Sequence, residues 1–316
     1  MSLKSIDQFG EQITQVAQDA AIACYNFIGR GDNVAADKAA VDAMRKSLNQ
    51  LNISGKVVIG EGERDEAPML FIGEEVGKGG LKVDIALDPL EGTTICANMD
   101  ANSLAVIAFG QENSFLHAPD VYMEKIVIGP NLPNQLVDLD NSVKTNLENL
   151  AKAKKCAISD LCVMILTRDR HQELIAKTRE AGARVKLFGD GDIAASINTC
   201  QPSTGVDMYI GTGGAPEGVL TAAALKTCGG QIMGRLIFGN NQRQIDRAKK
   251  MGITDLNKKY TTNDMAKGDV LFAASGVTDG NLVDGIKITD TQIITQTLLM
   301  NSKNKTIQTI TTNFLK

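Results

Sequence analysis

Apolar residues recur every three to four positions over residues 11–28, where Ile13, Val16, Ala17, Ala20, Cys24 and Phe27 form one stripe, and this spacing predicts a first amphipathic helix. Gly29, Gly31 and Asp32 end it. A second helix is predicted over 35–51, with Asp37 on the face that carries Val41, Met44 and Leu48. A carboxylate on an apolar face suits either a chemical role or the positive end of the helix dipole. The run KVVIG (56–60) predicts a short strand that leads into an acidic stretch, and Glu61 falls at that strand's carboxyl end. In VDIALDPLEGTT (83–94), Asp84, Ala86 and Asp88 alternate with Val83, Ile85 and Leu87, the period of a strand. Pro89 is expected to stop that strand and to hold Asp88 extended. Gly92 then allows close backbone approach, and Thr93 and Thr94 open a helix whose free amides suit an anion.

Strands are predicted at 103–110 and 124–129, separated by a loop that carries His117 and Tyr122. From residue 142 onward helices and strands alternate: helix to about 155, strand 161–167, helix 171–181, strand 184–189, helix 192–199 and strand 206–211. This order predicts an α/β region with at least partly parallel strands and a boundary near Val143, dividing the chain into 1–143 and 144–316. Thr and Ile alternate after residue 289, as in antiparallel strands with one wet face.

At 316 residues the chain exceeds the usual size of a single core, which supports two intimately packed domains. A net charge of −4, no basic block, four tyrosines and no tryptophan leave no footprint for nucleic acid. No apolar run reaches the roughly 18 residues of a membrane span, and MSLKSIDQFGEQ lacks a basic segment followed by an apolar one, so a cytoplasmic protein is expected. Six scattered cysteines without a Cys-x-x-Cys pair read as reduced side chains. Two histidines exclude a histidine-rich metal centre, so carboxylates must carry any metal chemistry, and oxygen ligands favour magnesium or manganese.

Several strand ends are chemically loaded. Asp88, Glu91 and Thr93 combine two carboxylates, a hydroxyl and an anion-binding turn, a set that suits divalent ions bridging a phosphate ester and a water, or simply an acidic turn. Arg168 and Arg170 follow the strand LCVMILT and suit a phosphate or the surface. In Asp190-Gly191-Asp192, Asp192 reads as a helix cap, whereas Asp190 is freer to meet hydroxyls. GTGGAPEG (211–218) is neither a dinucleotide fingerprint nor a P-loop. Pro216 fits a first helical turn, and Glu217 suits either the helix dipole or a metal.

Asp37, Glu61, Asp88, Glu91, Thr93 and Glu217 together resemble the lithium-sensitive sugar and inositol phosphatase superfamily, whose Asp-Pro-(Ile/Leu)-(Asp/Glu)-Gly-Thr signature stands here at 88–93. The ordered blocks GRGD, IGEGERDEAPMLFIGEEVG, DPLEGTT, APDVYMEK, GDGD and GGAPEG resemble class II fructose-1,6-bisphosphatase over nearly the whole chain. The resemblance implies a layered αβαβα fold and a cytoplasmic gluconeogenic enzyme, a homodimer or homotetramer. It also implies two or more Mn2+ or Mg2+ ions that assist hydrolysis of fructose 1,6-bisphosphate at the 1-phosphate. It assigns Asp37 and Glu61 to one metal, and Asp88, Glu91 and Glu217 to a second. Thr93 would orient the attacking water, with Gly92 beside it at the phosphate. Tyr122, Arg168 and Arg170 would grip the 6-phosphate, while Asp190, Gly191, Asp192 and the Gly214 backbone would meet the sugar.

Two positions depart from the family pattern. Asn33 stands where lysine is common, which leaves any cationic contact to the 1-phosphate open, and Asp169 replaces a common proline, which leaves the geometry of Arg168 open. The rival readings are a sedoheptulose-1,7-bisphosphatase, an inositol monophosphatase-like activity, and a non-catalytic sugar-phosphate-binding protein. Retention of Thr93 beside the five acids argues against the last of these.

Overall fold

The computed structural model describes residues 5–62 and 69–316, so Glu63, Asp65 and Glu66 of the acidic stretch lie outside it. In chain order the elements are α1 (Gly10–Cys24), α2 (Asn33–Leu48), β1 (Ile53–Ile59), β2 (Glu75–Val76), β3 (Leu81–Glu91), α3 (Thr93–Asn98), β4 (Leu104–Gln111), β5 (Tyr122–Ile128), α4 (Val143–Lys154), β6 (Cys162–Leu166) and α5 (Gln172–Glu180). There follow β7 (Arg184–Phe188), α6 (Asp192–Ile197), β8 (Met208–Gly214), α7 (Ala215–Cys228), β9 (Gln231–Ile237), α8 (Gln242–Lys250), β10 (Lys259–Thr261), α9 (Thr262–Met265), β11 (Val270–Gly276), β12 (Lys287–Ile288), β13 (Gln292–Asn301) and β14 (Thr306–Leu315). The chain is α/β, and both of its sheets are mixed.

Two compact units emerge, one of residues Met1–Leu116 with Ala266–Lys316, the other His117–Met265. This differs from a single division near Val143, because the C-terminal segment returns to the first sheet. There β11 inserts between β4 and β13, pairing with both antiparallel. All seven residues of β11 are buried, so VLFAASG shows no alternation that would mark it as a strand in sequence. Helices α1 and α2 cover this eight-stranded sheet, and Ile13, Val16, Met44 and Leu48 meet Ile85, Ile107 and Phe109 in one apolar core. Phe9 stands edge-on to Phe109, with ring centroids 6.4 Å apart.

Pro89 does not stop β3, which runs on to Glu91. The pairing with β4 shifts register between Asp88 and Glu91, and a bulge of this kind accommodates a residue that has no amide hydrogen to donate.

In the second unit a six-stranded sheet runs β10-β9-β5-β8-β6-β7. β6 is parallel to β7 and β8, whereas β5 is antiparallel to β8, with Tyr122 opposite Gly214. The amino end of β5 therefore lies at the carboxyl edge of β6, β7 and β8. Leu147, Leu150, Ile126, Val163 and Ile165 form its core.

Candidate active site

In the first unit, β1 and β3 run parallel with Ile59 beside Ala86, so Glu61 and Asp88 each stand two residues farther along at the same sheet edge. Asp88 Oδ1 accepts the Leu90 amide hydrogen at 3.1 Å, folding the chain over Pro89. Glu91 is buried, and Gly92 adopts the left-handed region at φ 79° and ψ 54°. A Cβ at Gly92 would lie 2.8 Å from the Ile95 side chain, so glycine is required on both counts. Ser103 Oγ holds the turn from outside by donating to the carbonyls of Glu91 (3.0 Å) and Gly92 (3.3 Å). Thr93 is the first residue of α3 and is half-buried.

The GRGD block serves this same corner. The Gly29 and Gly31 amides donate to the Cys96 and Ala97 carbonyls at 2.9 Å each, satisfying the end of α3. Asp32 then caps α2 by accepting from the Ala35 amide at 2.9 Å. Asp37 follows one turn later on α2, which packs against α3, and burial raises its carboxyl above the ordinary range. Asp84 is buried, with Oδ2 accepting the Ser114 amide at 2.9 Å, which accounts for it as a structural residue.

The second unit gathers the remaining candidates at the shared edge of β5, β6, β7 and β8. The Arg170 guanidinium lies over the Tyr122 ring, 4.9 Å from its centroid. Its Nε and Nη2 both donate to the Thr212 carbonyl at 3.1 and 2.7 Å. Arg168 donates to the Gly189 carbonyl and approaches Asp190 at 3.8 Å. Burial raises the Asp190 carboxyl, against the pull of the Gly191 amide and Arg168. Asp192 behaves differently from its neighbours. It opens α6 almost fully buried, and its Oδ2 is taken by Lys125 Nζ at 2.6 Å. Glu217, in the first turn of α7, has its carboxyl raised by burial, with Lys125 opposing.

Two further residues organise this edge, and neither stands in a sequence motif that marks it as a site residue. Lys125, in the run EKIVIG, is wholly buried. His171, also buried, bridges the Leu166 carbonyl and the Thr212 amide. Lys125 was legible only as a cation on the strand face of Met123 and Val127, both of which are buried.

Among the described residues no three His, Cys, Asp or Glu side chains stand together as a group that could hold a metal. The donor chemistry nevertheless fits a hard cation. Every candidate ligand is a carboxylate, burial raises Asp37 and Glu217, and Glu217 Oε2 is buried with no hydrogen-bond partner among the described residues.

The sequence model of the family described as "Bacterial fructose-1,6-bisphosphatase, glpX-encoded" matches residues 7–314. The chain is 46% identical over 313 residues to fructose-1,6-bisphosphatase 1 class 2 of Escherichia coli (strain K12), covering 95% of this chain and 93% of that protein. It is 40% identical over 338 residues to D-fructose 1,6-bisphosphatase class 2/sedoheptulose 1,7-bisphosphatase of Synechococcus sp. (strain JA-3-3Ab), covering 98% and 96%. Among solved structures, inositol monophosphatase from Anabaena (Nostoc) sp. PCC 7120 matches 61% of this chain and 71% of its own at 15% identity and a TM-score of 0.32.

Proposed function

The chain belongs to the family of bacterial, class 2 fructose-1,6-bisphosphatases, and from that premise we propose how its residues remove the 1-phosphate of fructose 1,6-bisphosphate. The structural observation that supports the substrate reading is the pairing of Arg170 with Tyr122 beside Arg168 and Asp190, a cationic edge suited to a phosphate distant from the reacting one.

Enzymes of this family depend on a metal, and our reading is two or more Mn2+ or Mg2+ ions. Asp37, Glu61, Asp88, Glu91 and Glu217 would hold them. Bound ions would neutralise the phosphate and lower the pKa of a water. The rest falls to the chain itself. Thr93 Oγ1, fixed at the start of α3 by the Gly92 turn, would orient the attacking water. The Gly92 and Thr93 amides would donate to phosphate oxygens as charge builds on them. Arg168, Arg170 and Tyr122 would hold the 6-phosphate, and Asp190, Gly191, Asp192 and the Gly214 backbone would fix the sugar. Among the described residues no helix is long and apolar enough to cross a membrane. We place the enzyme in the cytoplasm as a homodimer or homotetramer.

Sedoheptulose 1,7-bisphosphate is the second substrate to consider, because relatives at 40% identity carry both activities in their names. Phosphate release by the purified protein with manganese, from each bisphosphate and from inositol monophosphate, tests the reading. Release from fructose 1,6-bisphosphate that falls about 100-fold in Thr93→Ala is expected, the scale of a lost proton-handling group. No release by the unmutated protein overturns the reading.

A further inference from the structure

We propose that Lys125 is a positioning residue that locks the starts of α6 and α7 with a single ammonium group; this rests on the sugar-binding roles proposed above. Lys125 is 0% exposed in the middle of β5. A lysine is almost never fully buried unless it is paired, and here the pairing is specific. Nζ donates to Asp192 Oδ2 at 2.6 Å and to the Gly214 carbonyl at 3.0 Å. Asp192 is the first residue of α6, and Gly214 is the residue that caps the amino end of α7. One cation on β5 thus ties together two segments that are 22 positions apart in sequence, the difference between 192 and 214.

The surroundings are shaped for this contact. Both cross-strand neighbours of Lys125 are glycines, Gly211 on β8 and Gly234 on β9. A Cβ at Gly213 would lie 1.8 Å from Asp192 Oδ2 and 3.0 Å from Lys125 Nζ, and one at Gly218 would lie 3.5 Å from the lysine stem. Any larger residue at Gly213 would therefore force the ion pair apart.

The pairing also sorts the two carboxylates near the ammonium. Asp192 takes the ion pair, whereas Glu217 Oε2 is left without a hydrogen-bond partner among the described residues. Lys125 therefore commits Asp192 to a fixed, neutralised geometry and leaves Glu217 Oε2 without a hydrogen bond among the described residues. Without the ammonium, Asp192 would swing toward solvent, and the Gly214 carbonyl would lose the donor that orients it.

Lys125→Met, which keeps the stem and removes the charge, tests this directly. The expected result is a KM for fructose 1,6-bisphosphate raised at least tenfold with kcat within about threefold, because the groups it holds bind the sugar without handling the reacting water. Lys125→Arg restores the charge and should recover most of that loss. A merely structural role would instead lower kcat through a reduced folded fraction and leave KM unmoved, and that outcome overturns the proposal. Hydrogen exchange in the same variants reads positioning without turnover. Exchange at least tenfold faster at the Ala195 amide, bonded to the Gly191 carbonyl at 3.1 Å, and at the Ala215 amide, bonded to the Val121 carbonyl at 2.8 Å, with α4 unchanged, is expected, and unchanged exchange there overturns the assignment. If Lys125→Met fails to fold, Asp192→Asn, which keeps the shape and removes the charge that the ammonium meets, is read by exchange at the same amides, where faster exchange is expected and unchanged exchange overturns the assignment. Absence of phosphate release by the unmutated protein sinks the activity reading alone, and the exchange experiment still judges Lys125.

Discussion

His171 Nε2 accepts the Thr212 amide hydrogen at 2.9 Å, and the Thr212 carbonyl accepts Arg170 on its other side. Because Nε2 is the acceptor, the ring proton sits on Nδ1, which lies 2.7 Å from the Leu166 carbonyl and donates to it. The buried imidazole is therefore a neutral spacer that fixes the strand segment on which Arg170 rests.

Burial holds the pKa of His171 below its usual value of 6.5. The unfolded chain thus takes up this proton at a higher pH than the folded one. The stability contributed by the neutral ring is fully present above about pH 6.5 and declines as pH falls from there toward the folded-state pKa. With only two histidines in the chain, an NMR titration identifies the ring readily. Its signals should remain those of a neutral imidazole below pH 6.5, and a midpoint at or above 6.5 contradicts this account. His171→Ala should cost at least the roughly 1–3 kcal/mol of an orphaned amide donor and should raise KM for the bisphosphate.

Strand ends and helix starts near the candidate residues were legible because their signals are local. The alternation of Val83, Ile85 and Leu87, the Gly-Thr-Thr that opens α3 and the helical stripe beside Asp37 each lie within a few residues. Pro89 was misleading, because whether a proline ends a strand or occupies a bulge depends on the partner strand, here β4. The return of β11 to the first sheet was invisible for the same reason: pairing of Ala273 with Ile107 leaves no mark within either segment. Lys125 looks like a solvated charge until Asp192 at the start of α6 and Gly214 at the end of the neighbouring strand β8 are brought to it.

Gly92 should tolerate no side chain. Its φ of 79° costs an L-residue on the order of 1–2 kcal/mol, and the new Cβ would crowd Ile95. Gly92→Ala is expected to lower stability by about that amount and to reduce kcat, since the turn sets both the Thr93 hydroxyl and the adjacent amides. Gly10→Ala is the contrasting change. Gly10 starts α1 with helical dihedrals, and its Cβ would make an ordinary 3.5 Å contact with Leu299. That variant should gain up to about 1 kcal/mol in a thermal melt, with activity unchanged.

Arg170→Ala separates the two phosphates of the substrate. Loss of a charge-assisted contact costs roughly 1.5–3 kcal/mol, which corresponds to a KM for fructose 1,6-bisphosphate raised by about 10- to 150-fold. Any activity on a monophosphate, which has no distal phosphate to grip, should be untouched. An unaltered KM for the bisphosphate would show that the 6-phosphate is held elsewhere.

Divalent ions should stabilise the fold as well as support turnover. Burial raises the carboxyls of Asp37 and Glu217, so both are strained in their charged forms and a bound cation would relieve that strain. At a manganese concentration 100-fold above its dissociation constant, binding to the folded state alone adds about 2.7 kcal/mol. For a chain of this size that corresponds to a rise of roughly 5 °C in melting temperature. Glu217→Gln keeps the shape of the side chain but offers a neutral oxygen, so it should melt near the unmutated protein without metal and gain much less when manganese is added. Equal gains by both proteins would remove Glu217 from the proposed ligands, and no gain by either would count against a metal site altogether.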